Sequence, residues 1–535
     1  MDDRTPRPRR STRRRPAWPR RLLTLSLGLS ATLAVFVAAA LAWPMPDMPR
    51  VGAGGDVVVR NVAVVDVVGG RTVPGRDVVI RAGRIASIAA YDARNAYAGL
   101  VAVDGRGRFL APGLWDMHVH SLKVSPQYTH PLSIANGVTG VREMWGCAGL
   151  PDPLVACGDD IARWRAALRD GSRLAPRYIQ RSSYAVNGPR GVPADSPAYF
   201  RASTAREARA LVAHHAADRV DLIKTYTELS PAAYAALAAE ARTRGVVFAG
   251  HLPVRVPLSQ ALAAGQGTIE HPRVFLLECY RDAAAFRALP EPMRAYDTAM
   301  RARLVDRHDR AHCAGAMAAM ARSRTWWTPT LQVLRMEARA GDAAFRNDPR
   351  LRYVPYVLRA GLWAPDADAS AQRAAEVPGR DVAGELYALA MRTVGDAHAA
   401  GVGILAGTDA GDTYVFPGFG MHDELRELVH AGLSPADALR SATIRPAQFS
   451  GMDRDFGSVD VGKAADLILL DADPLADIAN TRRIAALLFN GRYLDRPALD
   501  ALLHHADRQA GSVRMNLQLL SAALRSPIIR AQAAD

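Results

Sequence analysis

Gly113-Leu-Trp-Asp-Met-His-Val-His120 reads as a buried strand that ends on two imidazoles. Strand side chains alternate between faces, so His118 and His120 point the same way. Two converging imidazoles are what a divalent metal site needs. The motif is weak alone. With 14 His in 535 residues, chance supplies ~0.4 such pairs.

The stretch is the first of eight strand candidates between residues 111 and 455. The others are GVTGVREM, RYIQRSSYAV, DLIKTYTE, VVFAGHLP, GTIEHPRVF, TWWTPTLQ and GILAGTDAG. Ala-rich amphipathic runs fall between them, among them Thr204–Ala217, Pro231–Arg244 and Leu258–Ala264. Alternating β and α segments favour a parallel sheet, and eight repeats favour a closed (β/α)8 barrel of the TIM type. Residues 281–325 and 337–401 exceed one helix each and read as helical insertions.

The polar residues in these apolar strands are the informative ones. Lys224 lies in Asp-Leu-Ile-Lys, His251 ends VVFAGH, His271 ends TIEH, and Asp409 ends ILAGTD. Each sits at or near the C-terminal end of a different strand, the end at which barrel active sites form. Four imidazoles, one carboxylate and one lysine on a single rim point to a metal centre. A lysine in an apolar, cation-rich pocket has a depressed pKa. Its neutral amine can add carbon dioxide to give a carbamate that bridges two metals. The competing reading of Lys224 is a salt bridge with Asp221 or Glu228.

Outside the barrel, residues 56–110 and 456–500 share a style of short Val/Ile-rich runs with Gly turns. They suggest a small composite β-sandwich domain built from both chain ends. Residues 44–55 form a Pro/Gly linker, and 501–535 a helical tail with apolar Leu517, Leu519, Leu520, Ala523 and Leu524. Net charge is +14, but residues 1–21 hold nine Arg against Asp2 and Asp3. The excess therefore belongs to an N-terminal arm and gives no argument for nucleic acid. Residues 22–43 carry no charge, enough helix to cross a bilayer's ~30 Å core. The positive-inside rule keeps the arm in the cytoplasm and places the rest outside, on a single-pass inner-membrane anchor. The alternative is secretion after signal cleavage at Ala40-Leu41-Ala42. Of four Cys, Cys147 and Cys157 suit a loop disulfide in an exported protein, with paired thiols and free thiols both open. Cys279 and Cys313 are a second candidate pair.

Several of these pieces together resemble the amidohydrolase superfamily, in its imidazolonepropionase-like and prolidase-like branch that includes ochratoxinase-type amidases. They are APGLWDMHVH, NGVTGVREM, YAVNGP, DLIKTYTE, AGHLP, IEH, ILAGTDAG, MHDELRELVHAGLSPADALRSATIRPAQ, and VGKAADLILLDADPL with LFNGR. The resemblance covers about residues 57–496. It implies a barrel with a composite β domain and a mono- or binuclear metal centre, usually zinc, and two divalent ions are expected here. His118, His120 and Asp409 would hold the more buried ion, and His251 and His271 the more exposed one. Carboxylated Lys224 would bridge them. Imidazolonepropionase-type members lack that lysine, so Lys224 favours the binuclear branch.

The implied reaction is cleavage of an amide by a metal-bridging hydroxide, with Asp409 moving the proton and Tyr226 meeting the substrate. Tyr226 as an ordinary strand aromatic is the rival reading. The expected substrate is small, a dipeptide or an N-acyl amino acid. Lactone, ester or phosphotriester hydrolysis at the same centre is a second reading. A membrane-anchored metal-binding scaffold without turnover is a third, which the presence of Asp409 opposes. Arg142 is a candidate partner for Glu143 or for a substrate carboxylate. His130 is a candidate substrate contact, and His422 a residue that orders its helix start. His214, His215, His308, His312, His398, His504 and His505 read as solvated or helix-capping. Homo-oligomerisation stays open.

Overall fold

The computed structural model describes residues 18–147, 151–189 and 201–532. The basic arm as far as residue 17 lies outside them. Residues 1–45 and 46–535 separate into two units. In the first, Trp18–Ala42 is one helix. Its segment Leu25–Ala42 is the one span among the described residues long and apolar enough to cross a membrane. Leu25, Leu29, Leu33 and Val35 are all exposed there, as a membrane anchor or a signal sequence requires.

The second unit holds the α/β fold. Seven of the eight strand candidates form parallel strands at Leu114–Val119, Val138–Glu143, Arg177–Arg181, Leu222–Thr225, Val247–Gly250, Thr268–Glu270 and Trp326–Thr328. Single parallel bridges link the runs onward, Ser182 to Leu222, Trp327 to Ile404 and Val119 to Ala410, so the sheet curls back on itself. The eighth candidate is where expectation and structure differ. GILAGTDAG makes isolated bridges at Ile404 and Ala410 and no continuous strand. Its backbone turns over at Asp409, where φ is +67°. Gly407 packs so tightly that a Cβ would lie 2.5 Å from Thr328 Cγ2 and 2.9 Å from the His118 amide nitrogen.

The helices between strands fall where the sequence put them. Ser230 accepts a hydrogen bond from the Ala233 amide, Pro231 opens the helix Pro231–Arg244, and Gly245 ends it in a left-handed conformation. Ser at the N-cap, Pro at the first turn and Gly past the end are each the preferred residue there. That helix returns the chain so that Lys224 pairs with Ala249 and Thr225 with Gly250. Gly250 has φ +122°, and any Cβ there would meet Thr225 O at 2.5 Å. Residues 281–325 and 337–401 are largely helical.

A nine-stranded sheet draws strands from both chain ends. Its order runs 53–54, 492–495, 484–489, 467–470, 109–112, 57–66, 71–81, 84–90, with 101–104 added beside 57–66. Its apolar side packs Val57, Val59, Ile80, Leu467, Leu469 and Leu488 into a separate core. The tail forms helices Arg496–Ala510 and Val513–Arg525. The second buries Met515, Leu519 and Ala522, while Leu520 and Leu524 face out. Its inward stripe thus follows the helical period from Met515 and shares Leu519 with the set read from sequence. Both cysteine pairs form disulfides, Cys147–Cys157 and Cys279–Cys313.

Candidate metal centre and active site

Strand ends deliver the expected donors to one cavity of about 250 Å³. His118, His120, Lys224, Tyr226, His251, His271 and Asp409 all line it. Backbone bonds fix the rim. The His120 amide donates to Ala410 O at 2.8 Å, Asp409 to His118 O at 2.9 Å, and His271 to Thr328 O at 2.9 Å. His271 and Asp409 both have positive φ, +71° and +67°. A non-glycine residue in that region carries strain that its surroundings must enforce.

Donor atoms converge without satisfying one another. Asp409 Oδ1 lies 3.2 Å from His120 Nε2 and 3.4 Å from His118 Nε2, and its Oδ2 lies 3.6 Å from His271 Nδ1. His118, His271 and Asp409 place one ligand atom each within 4.8 Å of one another. His118 Nε2, His120 Nε2, His251 Nδ1 and Asp409 Oδ1 are buried and have no hydrogen-bond partner. Buried polar atoms are normally paired, and a divalent ion would satisfy these. The donor chemistry therefore fits a metal. The other such group among the described residues, Cys279, His308 and Cys313, is closed by its disulfide.

Burial is the largest effect on every titrating group here. It lowers His118, His120, His251 and His271 well below the usual imidazole range, and the Lys224 charge lowers them further. Neutral imidazole is the ligating form. Burial also lowers Lys224, against the pull of Asp409, Glu270 and Glu143. It raises Asp409 well above the carboxylate range, with Asp412 adding to the rise. The salt-bridge reading of Lys224 loses its first partner, because Asp221 Oδ2 is taken by Arg165 Nη2 and the Arg181 amide at 2.8 Å each. Lys224 Nζ instead faces the Tyr226 ring, 5.9 Å from its centroid. The Tyr226 ring meets His251 edge-on at 4.2 Å.

Other residues hold the donors, and local pattern marks them less clearly. Glu270 Oε2 accepts from His118 Nδ1 at 2.9 Å, which turns Nε2 toward the cavity. Thr330 Oγ1 lies 2.7 Å from His271 Nδ1, and Trp145 stacks on His120 at 5.4 Å. Arg142 is wholly buried and bound to Glu270 at 2.9 Å and to Met117 O at 2.6 Å. It pairs with neither Glu143 nor the cavity. Nor does His130 reach the cavity: its Nε2 meets Tyr178 Oη at 2.9 Å. His422 ties Thr481 and Asn136 together at 2.9 and 3.0 Å. His215 and His505, expected at the surface, are buried.

A model of the amidohydrolase family matches residues 223–494, about half of the chain. The chain belongs to the amidohydrolase family. This amidohydrolase is 39% identical over 88 residues to adenine deaminase of Desulfatibacillum aliphaticivorans, a match covering 16% of this chain and 14% of that one. It is 48% identical over 42 residues to imidazolonepropionase of Symbiobacterium thermophilum, covering 8% and 10%. The chain thus spans a small part of these curated relatives' length. Among solved structures, bottromycin amidohydrolase superposes with TM-score 0.62 at 24% identity, over 89% of this chain and 94% of that one. A Xaa-Pro dipeptidase with methionine in its active site gives 0.59 at 19%, over 82% and 100%. Such likeness carries the fold alone.

Proposed function

We propose that this amidohydrolase hydrolyses the amide bond of a dipeptide or N-acyl amino acid. The observation that carries the reading is the set of orphaned donors, His118 Nε2, His120 Nε2, His251 Nδ1 and Asp409 Oδ1, in one cavity. In this reading the curled sheet is a (β/α)8 barrel spanning 111–455, with the site on its C-terminal rim. Residues 56–110 and 456–500 make the composite β domain. Two zinc ions would be held by His118, His120 and Asp409 on one side and His251 and His271 on the other, with carboxylated Lys224 between. When bound, they supply Lewis acidity that lowers the pKa of water and polarises the scissile carbonyl.

The chain's own groups do the rest. Asp409, held in a strained turn with Oδ1 free of protein hydrogen bonds, takes a proton from the attacking water and returns it to the leaving nitrogen. Glu270 fixes the His118 ring from behind. Tyr226 donates a hydrogen bond from its hydroxyl to the oxyanion as it forms. Trp145, Leu276 and Leu334 wall the cavity with apolar surface, which excludes bulk water. The arm and the helix Trp18–Ala42 anchor the enzyme at the inner membrane, with the catalytic unit outside the cytoplasm. Secretion after cleavage is the other outcome for that helix.

The test is turnover by the full chain in detergent, reconstituted with zinc and bicarbonate. Dipeptides and N-acyl amino acids are compared with lactones, carboxylic esters and phosphotriesters. The expected result is release of one free amine per amide consumed. Turnover confined to the oxygen esters would overturn the amide assignment.

A further inference from the structure

The cavity opens into a larger outer chamber of about 950 Å³, and Arg273 lines both. Only Pro272 separates Arg273 from His271, so their Cα atoms are within about 7 Å. The neighbouring arginines are bonded to protein groups. Arg301 binds Glu337 at 2.7 Å, Arg373 donates to Ser370 Oγ at 2.8 Å, and Arg142 is spent on Glu270. Arg273 differs. Among the described residues it makes no ion pair, and its guanidinium meets Met293 Sδ at 3.9 Å. A half-buried guanidinium with no ion pair, facing a cavity beside ligand donors, is suited to bind an anion.

We infer that Arg273 is the specificity-determining anchor for a carboxylate on the substrate. It binds the α-carboxylate of the leaving amino acid while the scissile carbonyl lies against the donors of His251 and His271. The inference rests on the amide-hydrolase reading and sharpens it. The leaving group must carry a free carboxylate, so dipeptides and N-acyl amino acids are substrates and their C-terminal amides are poor ones. A planar guanidinium meets a carboxylate through two parallel N–H donors, which a lysine does not reproduce.

The experiment measures binding by calorimetry and turnover by amine release on the zinc-loaded full chain. The probes are N-benzoyl derivatives of glycine, leucine, phenylalanine and proline, each as the free acid and as the carboxamide. Wild type is expected to bind at least one acid ~30-fold more tightly than its amide. Arg273→Gln is expected to weaken that acid ~30-fold through KM, leave the amide unchanged within twofold, and keep its metal content. Arg273→Lys recovers part of the loss. Equal binding of acid and amide to wild type, equal loss of both in Arg273→Gln, or no binding of any acid overturns the anchor. The wild-type comparison stands even if the variants do not fold. An enzyme that prefers acids but cleaves none retains the anchor and loses the amide-hydrolase reading.

Discussion

The histidines of the cavity and the buried histidines elsewhere are made from the same side chain and put to opposite ends. His422 is buried with both ring nitrogens bonded, one to Thr481 and one to Asn136 O. His215 is buried with neither bonded. His118 is divided: Nδ1 is bonded to Glu270 and Nε2 is left open beside Asp409. An orphaned nitrogen is therefore not what marks a site, since His215 has two and belongs to no group of donors within ligating reach among the described residues. The mark is several orphaned atoms converging, each ring held from behind by another residue.

The largest test of that contrast is Asp409→Asn. Its metal content should persist while kcat falls ~10³-fold, the scale of a lost general base and acid. Near-wild-type kcat would remove Asp409 from proton transfer. Next is the support behind the rim. Arg142→Met strips the partner from Glu270 in a wholly buried site, which should cost about 3–5 kcal/mol in denaturant unfolding. A loss below about 1 kcal/mol would show that Glu270 finds its balance elsewhere.

His422 gives a smaller, pH-dependent effect. Burial, with Arg482 adding, lowers its pKa to about 4. The unfolded chain then binds a proton below about 6.5 that the folded chain refuses. Stability present above that pH is lost as pH falls toward 4, by about 3 kcal/mol. His422→Gln should flatten this part of the stability profile, and an unchanged slope would contradict it. The smallest effect is expected at His215. Its pKa is lowered to about 4, chiefly by burial, yet His215→Leu should leave metal content and kcat/KM unaltered and change stability by less than about 1 kcal/mol. Loss of metal in that variant would erase the distinction between the two kinds of histidine.

The donors were legible from the chain because strand alternation and the strand ends do the aiming. His118 and His120 share a face by spacing alone, and Lys224, His251, His271 and Asp409 each close an apolar run. The helix Pro231–Arg244 was legible because Ser230, Pro231 and Gly245 mark its ends. What was hidden depends on contacts far apart in sequence. Glu270 reads as one more polar residue before a histidine, and only the fold brings it to His118 and Arg142. Arg142 sits in a strand as a substrate-binding arginine would, and its commitment to Glu270 appears only in three dimensions. Arg273 follows His271 by two positions, and nothing local says that it lacks a partner. The Ile404–Ala410 segment carries strand composition, but its turn at Asp409 and the close packing at Gly407 break the ladder.

We propose that the converging donors hold a binuclear metal centre. The direct measurement is metal content by inductively coupled plasma mass spectrometry. It uses the full chain purified in detergent without chelators and with bicarbonate present. About two zinc ions per chain are expected. About one would make Lys224 a structural residue and contradict the bridged centre, and none, even after zinc is supplied, would contradict the site itself.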